Sequence, residues 1–321
     1  MSDPLVSVVI ATYRRPAKLA GLVDALHAQT LPADRFEIVI VDDGSSDDTA
    51  AVLTKLAATS AVALRPILMD ENRGPAAARN TGWRAAVAPV IAFTDDDCVP
   101  QPDWLAAGLA AMATGEVGVV GRTKPNPDQL GHRGPFSRTL DVTDTRFMQT
   151  CNVFYRRADL ELVNGFDERI RAKGGEDTDL GWKVADLGRE IVFAEGAVVY
   201  HDISESRFRN ALREASTMVD IPRVAVLHPQ RARRQLHRRY FWKRTHPPAL
   251  LGLLGLTAAM VTRRPLFLLA LWPWLRFRYK RQPISRDPIE RVLLLPHAFV
   301  LDVTEIVTMA RGSIKHGTFV L

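Results

Sequence analysis

Three consecutive carboxylates, Asp95-Asp96-Asp97, close the short apolar run Ile91-Ala92-Phe93-Thr94 and are followed by Cys98-Val99-Pro100. Adjacent acids repel one another and are costly to hold without a counter-charge. A divalent cation removes that cost, and hard carboxylate oxygens suit Mg2+ or Mn2+. In an open α/β sheet, ligands bind beyond the carboxyl ends of the strands, so acids at a strand end suit a metal–phosphate site. A solvated acidic turn is the competing reading. A second acidic group, Glu176-Asp177 with Asp179, runs into the helix-like Leu180-Gly181-Trp182-Lys183. There a carboxylate can take a proton from an acceptor hydroxyl, or it can cap the helix. Arg73 and Arg79 bring positive charge to the start of another helical segment, where an anion is readily held. His201 ends a strand-like run. Neutral imidazole suits Mn2+, and a lone histidine at a strand end also serves structure. Trp104 and Trp182 could stack on a ligand, with packing the plainer use of each.

The elements that must position these groups alternate along the first hundred residues. Residues 5–11 (LVSVVIA), 36–41 (FEIVIV), 62–69 and 90–94 read as strands. Residues 17–29 carry Leu19, Leu22, Val23 and Leu26 on one helical face, and residues 50–58 form a helix behind the polar loop 42–49. Small residues from Ala76 to Gly82 allow a third helix to lie close on the sheet. This alternation predicts an α/β fold with a mostly parallel sheet and right-handed crossovers. No G-x-G-x-x-G follows the first strand, where Ala11-Thr12-Tyr13-Arg14-Arg15-Pro16 stands instead, and no GxxxxGK[ST] occurs. Phosphates must therefore be held by metal and arginine rather than by a glycine cradle. The missing Gly-rich basic loop also argues against a nucleotidyltransferase.

Four stretches in order, VSVVIATYRR, IVIVDDGSSDDT, RGPAAARNTGW and FTDDDCVP, resemble the nucleotide-binding half of a family 2 glycosyltransferase with the GT-A fold. The resemblance continues through residues 151–157 (CNVFYRR), the turn Val163-Asn164-Gly165-Phe166-Asp167-Glu168 and the Glu176-Asp177 motif, and covers about residues 5–205. Arg14 stands where the family often has Asn, and Asn164-Gly165 replaces Gly-Gly. The resemblance implies an inverting, metal-dependent transfer of a sugar from a nucleotide-diphosphate donor. It places Asp97 on the metal, Asp95 at the ribose or the metal, and Asp96 between them. It sets Asp43 at the nucleobase, Ala11 and Tyr13 beside the donor, and Arg79 near the diphosphate. Asp177 would be the general base, and Glu176 would position the acceptor or support its loop. In some relatives a histidine at the place of His201 completes the metal shell.

The 321 residues, 47% apolar and 24% charged, suffice for a large core plus an appendage, with a net charge of +6. Cys98 and Cys151 form no CxxC pair and read as reduced thiols. Residues 1–4 lead straight into a strand without a signal-peptide pattern, which sets the expectation of a protein on the cytosolic side. The expected division is 1–205, catalytic (1–100 for the donor, 101–205 for the acceptor), and 206–321, a helical extension. Residues 207–246 carry 11 Lys/Arg against Glu214 and Asp220, interleaved with Tyr240, Phe241 and Trp242. Two uncharged runs, 247–262 and 265–275, flank Arg263-Arg264. Neither reaches the roughly 20 apolar residues of a membrane-spanning helix. Basic and aromatic residues beside short apolar runs instead suit a peripheral position on the anionic inner face of the cell membrane. A hairpin packed on the catalytic domain, or a homo-oligomer contact, would use the same runs; nucleic acid would leave them without a role. Residues 290–311 read as an amphipathic helix pair broken at Pro296. A membrane position favours a glycan, polyprenyl-linked or glycolipid acceptor. The rival from another class is a non-catalytic nucleotide-sugar-binding scaffold, against which the full set Asp43, Asp95, Asp97 and Asp177 speaks.

Overall fold

The strands of the computed structural model, which describes residues 3–113, 115, 117–171, 174–281, 285 and 287–321, form one eight-stranded sheet. Met1 and Ser2, where the sequence was searched for a leader, lie outside the described residues. Strands β1 (Val6–Thr12), β2 (Phe36–Asp42), β3 (Ala63–Leu68) and β4 (Val90–Thr94) pair in parallel in the order β3-β2-β1-β4. Between them run helices α1 (Pro16–His27), α2 (Thr49–Thr59) and α3 (Pro75–Ala85). All seven residues of β2 are buried, as a strand covered on both faces requires. Helix α3 lies close because Gly82 faces β1: a Cβ there would sit 2.5 Å from Val9 Cγ1.

The second half adds β5 (Cys98–Pro100), α4 (Trp104–Met112), β6 (Val117–Pro125), β7 (Asn152–Arg156), α5 (Arg157–Leu162), α6 (Glu176–Asp186) and β8 (Glu190–His201). The sheet continues β4-β7-β6-β8-β5, with antiparallel pairs at β4–β7, β6–β7 and β5–β8. The alternation of the first half did not foretell these antiparallel pairs. Three residues separate β4 from β5, and the four steps from Thr94 to Cys98 span about 14 Å of chain at most, yet four strand spacings, about 19 Å if flat, lie between them. The sheet must curl, and the turn Asp95-Asp96-Asp97 bridges the curl. Pairing of Cys98 with His201 then sets that turn against the end of β8.

The chain divides into two compact units: residues 1–131 with 139–203, and residues 132–138 with 204–321. The second is helical: α7 (Phe208–Ala215), α8 (Ile221–Leu227), α9 (Pro229–Gln235), α10 (His246–Thr262), α11 (Trp272–Lys280), α12 (Pro288–Leu293) and α13 (Leu295–His316). Ala249, Trp274, Ala298 and Ile306 form one core cluster; Ile221, Met309 and Val320 form another. Buried Asp302 on α13 accepts from Trp274 Nε1 at 2.8 Å and from Arg278 Nε at 2.9 Å. Lys243 and His246 do the same for Glu305, at 2.6 and 3.1 Å. The helix break read at Pro296 falls at Leu294 instead. Pro296 sits in the first turn of α13, where proline's missing N–H costs nothing. The second uncharged run is a 3-10 segment (Pro265–Leu271) running into α11. No helix among the described residues is long and apolar enough to cross a membrane.

Candidate active site

The acid turn is held by two arginines from different elements. Arg15, just past β1, donates from Nη1 to Asp96 and to Asp97, 2.7 Å each. Thr12, the last residue of β1, donates to the other oxygen of Asp96 at 2.8 Å. The β1–β4 register explains the reach, since Val9 lies opposite Phe93 and three further residues bring Thr12 to the turn. Burial pushes the Asp96 carboxyl upward despite Arg15, and the neighbouring Asp97 adds to the rise. Burial also disfavours the Arg15 charge, but the two carboxylates more than offset it and hold the guanidinium above its ordinary value.

On the other side Arg79 of α3 is buried. Its Nη2 donates to Asp95 at 2.8 Å, and its Nη1 lies 3.3 Å from Glu176 and 3.6 Å from Asp177. Asp177 takes a second anchor from Thr150, whose N–H and hydroxyl donate at 3.2 and 2.9 Å. Glu176, buried, accepts the Gly174 N–H at 2.9 Å and so supports the loop before α6. Helix α6 begins after Gly175, held at φ 103°, with no side-chain cap at that residue. Asp177 thus directs its oxygens to Thr150 and Arg79, while Asp179 pairs with Lys183 at 2.6 Å. Three carboxylates round one guanidinium are not all easily ionised. Burial first, and Glu176 beside it second, push Asp177 up to about 7, although its side chain keeps 23% of its surface open. A carboxyl titrating there can accept a proton near neutrality.

His201 lies beside Asp97, with Nε2 3.4 Å from Oδ1. Its Nδ1 is 2.8 Å from the Asp202 carbonyl oxygen and donates to it in the tautomer that leaves the Nε2 lone pair towards Asp97. Asp97, Cys98 and His201 bring one ligand atom each within 4.8 Å of one another. Burial holds the Cys98 thiol well above its ordinary value, and its Sγ donates 3.9 Å to the Cys151 carbonyl, so it stays a neutral thiol. The carboxylate and the imidazole fit a hard or borderline divalent ion, with Arg15 meanwhile supplying the counter-charge.

The predicted residues fall in three places. Asp96, Asp97 and His201 gather around Arg15 or one another, and Asp95, Glu176 and Asp177 gather around Arg79. Asp43 stands apart. Buried at the end of β2, it accepts the backbone N–H groups of Arg73 and Gly74 at 2.8 and 2.9 Å and so ties β2 to the entry of α3. Burial pushes its carboxyl up against those two bonds. Ala11 pairs with Val41 within the sheet, and Tyr13 is exposed with the Arg14 guanidinium 5.1 Å from its ring. Arg73 reaches Glu168 at 2.6 Å rather than the acid turn. Trp104 and Trp182 are both buried, and Trp104 packs on Phe154 while donating to Asn152 at 2.8 Å. Sequence reasoning passed over Arg15, Thr12 and Thr150. Arg15 carried a signal, since an acid triplet needs a cation and Arg14-Arg15 follows the strand next to it. Thr150, 27 residues before Asp177, carried none.

The sequence profile described as Glycosyl transferase family 2 matches residues 7–166, from β1 to just past α5. Glu176, Asp177 and His201 lie beyond that match. Glycosyltransferase AglE of Haloferax volcanii is 28% identical over 208 residues, covering 62% of this chain and 67% of that protein. Validoxylamine A glucosyltransferase of Streptomyces hygroscopicus is 31% identical over 219 residues, 56% of this chain and 51% of that protein. The chain therefore spans only about half of the latter. Among solved structures, a mannosyltransferase from Pyrobaculum calidifontis in complex with GDP-Man and Mn2+ superposes with a TM-score of 0.62 at 21% identity, over 98% of this chain and 88% of that one. That likeness is one of fold, and it matches the GT-A architecture.

Proposed function

The chain belongs to glycosyl transferase family 2, and on that premise we propose that it moves a sugar from a nucleotide-diphosphate donor to an acceptor hydroxyl by direct, inverting displacement. The observation that carries this reading is Asp177, pushed up to about 7 and held by Thr150 and Arg79. A base for a hydroxyl must be oriented, and must be neither a strong acid nor permanently protonated. Asp177 meets both requirements, and Arg79 ties it to Asp95 on the donor side of the site. Such a base serves a single displacement, in which the acceptor attacks the anomeric carbon from the face opposite the leaving diphosphate.

Asp97 and His201 would hold Mn2+ or Mg2+, which when bound supplies Lewis-acid stabilisation to the departing diphosphate. Arg15 would then release Asp97 and keep its bond to Asp96. Asp95, fixed by Arg79, is available to the ribose. Asp43 shapes the nucleobase side by holding residues 73–74. Glu176 keeps the loop before α6 in place. The acceptor in this reading is a glycan, polyprenyl-linked or glycolipid hydroxyl. NMR of the product tests the displacement: the anomeric configuration should be opposite to that of the donor, and retention would sink it.

A further inference from the structure

The largest group of outward-facing apolar side chains in the helical unit lies on one hairpin. Helix α10 and the segment Pro265–Leu271 pack through small contacts, where a Cβ on Gly252 would lie 2.9 Å from Leu271 and one on Gly255 2.5 Å from Ala270. With that face closed, the hairpin points large residues outward, Met260, Val261, Leu266 and Leu269 near its Arg263–Arg264 turn and Trp272 further along its flank, next to the Leu271 that packs on Gly252. Met260, Val261, Leu266, Leu269 and Trp272 are 63% to 78% exposed. Soluble monomers seldom leave so dense an apolar group uncovered. Between the two segments stand Arg263, in the left-handed conformation at φ 58°, and Arg264, both exposed.

We infer that this hairpin tip is a shallow anchor for an anionic phospholipid surface. Charge argues for that occupant. From residue 221 to residue 286 the chain carries 15 Lys/Arg and no Asp or Glu. A second copy of the same hairpin would bring like charges together. A bilayer interface takes apolar side chains and arginines at one depth, because guanidinium groups reach headgroup phosphates while their neighbours enter the acyl boundary. Trp272 suits that same layer. The 17 residues of α10 stop at the two arginines, which limits entry to one leaflet. A consequence is that the acceptor is presented by the membrane. That step rests on the glycosyltransferase reading, whereas the binding does not and is measured without donor or acceptor.

The test is flotation of the full chain with two vesicle types, phosphatidylcholine alone and equal parts phosphatidylcholine and phosphatidylglycerol. Wild type should float with the anionic vesicles and stay behind with the neutral ones. L266E/L269E, altered only at exposed positions, should lose at least tenfold in binding. R263S/R264S should lose severalfold and most of the salt sensitivity. Blue-shifted emission on adding anionic vesicles, absent in Trp272→Phe, places the flank of the hairpin in the interface. Wild type that floats with neither vesicle, or L266E/L269E that floats like wild type, overturns the inference. So does a concentration-dependent dimer abolished by L266E/L269E without vesicle binding, which would give the face to a second copy.

Discussion

The two arginines of the site do the same electrostatic job in opposite ways. Arg79 is sealed in, with 8% of its side chain open, and serves Asp95, Glu176 and Asp177. Arg15 has 38% open and serves Asp96 and Asp97. A buried guanidinium cannot withdraw without stranding carboxylates in low dielectric, so Arg79 is a permanent part of the Asp177 end. Arg15 can release the part-exposed Asp97 more cheaply while keeping buried Asp96, because the Arg15–Asp97 pair is partly open to water. The end with the replaceable cation is also the one with His201 beside Asp97. The contrast thus separates a fixed end around Arg79, which holds the proposed base, from a more exchangeable end around Arg15, which holds the proposed metal ligands.

The largest expected effect is on the fixed half. Asp177→Asn should keep donor binding while sugar transfer falls by about 100- to 10,000-fold; normal turnover would remove Asp177 from the base role. Arg79→Met comes next. It should cost about 3–5 kcal/mol of stability in denaturant unfolding, because it leaves buried acids unpaired. Acidity follows. Transfer by wild type should fall about tenfold per pH unit below about 7, as the base becomes protonated. The stability sign runs the other way. A carboxyl raised in the fold contributes stability that is full below its ordinary value near ~3.9 and is lost as pH rises through about 7. Asp177→Asn should therefore be at least as stable as wild type at alkaline pH, which a merely structural aspartate would not allow. The smallest effect belongs to Arg15→Gln. Its unfolding free energy should fall by about 1–3 kcal/mol, since buried Asp96 loses a partner, while Mn2+ binding without nucleotide tightens severalfold in calorimetry. Weaker Mn2+ binding would mean that Arg15 supports the metal site rather than standing in for its ion.

Legibility followed sequence distance. The parallel half could be read because its strands are short, mostly apolar runs ending in polar loops, as buried parallel strands tend to be; only β3, with Arg65 and no fully buried residue, departs from that. Asp95, Asp97, Asp177 and His201 stood out as charged or metal-binding groups at element ends. What they touch did not. The His201–Asp97 pairing depends on β5, a strand of three residues that no periodicity reveals. Strand β8 begins at Glu190, seven residues before Ala197, where the strand-like run that His201 ends begins; the exposed Glu195-Gly196 splits its apolar residues into two short runs. The contact of Arg15 with Asp96 and Asp97 needs the β1–β4 register, which is a tertiary fact. The helical unit was legible in charge and apolarity, but its helix bounds and the 3-10 segment at 265–271 arise from packing on α10.

The central claim is that the Asp97 end is a metal-dependent donor site. Its most direct test is calorimetric titration of wild type and Asp97→Ala with UDP, GDP and dTDP, each with Mn2+ and with EDTA. Wild type should bind one nucleotide with Mn2+ and lose it in EDTA, and folded Asp97→Ala should bind none of them. Metal-independent binding, absence of binding by a folded wild type, or an Asp97→Ala titration matching wild type would contradict it.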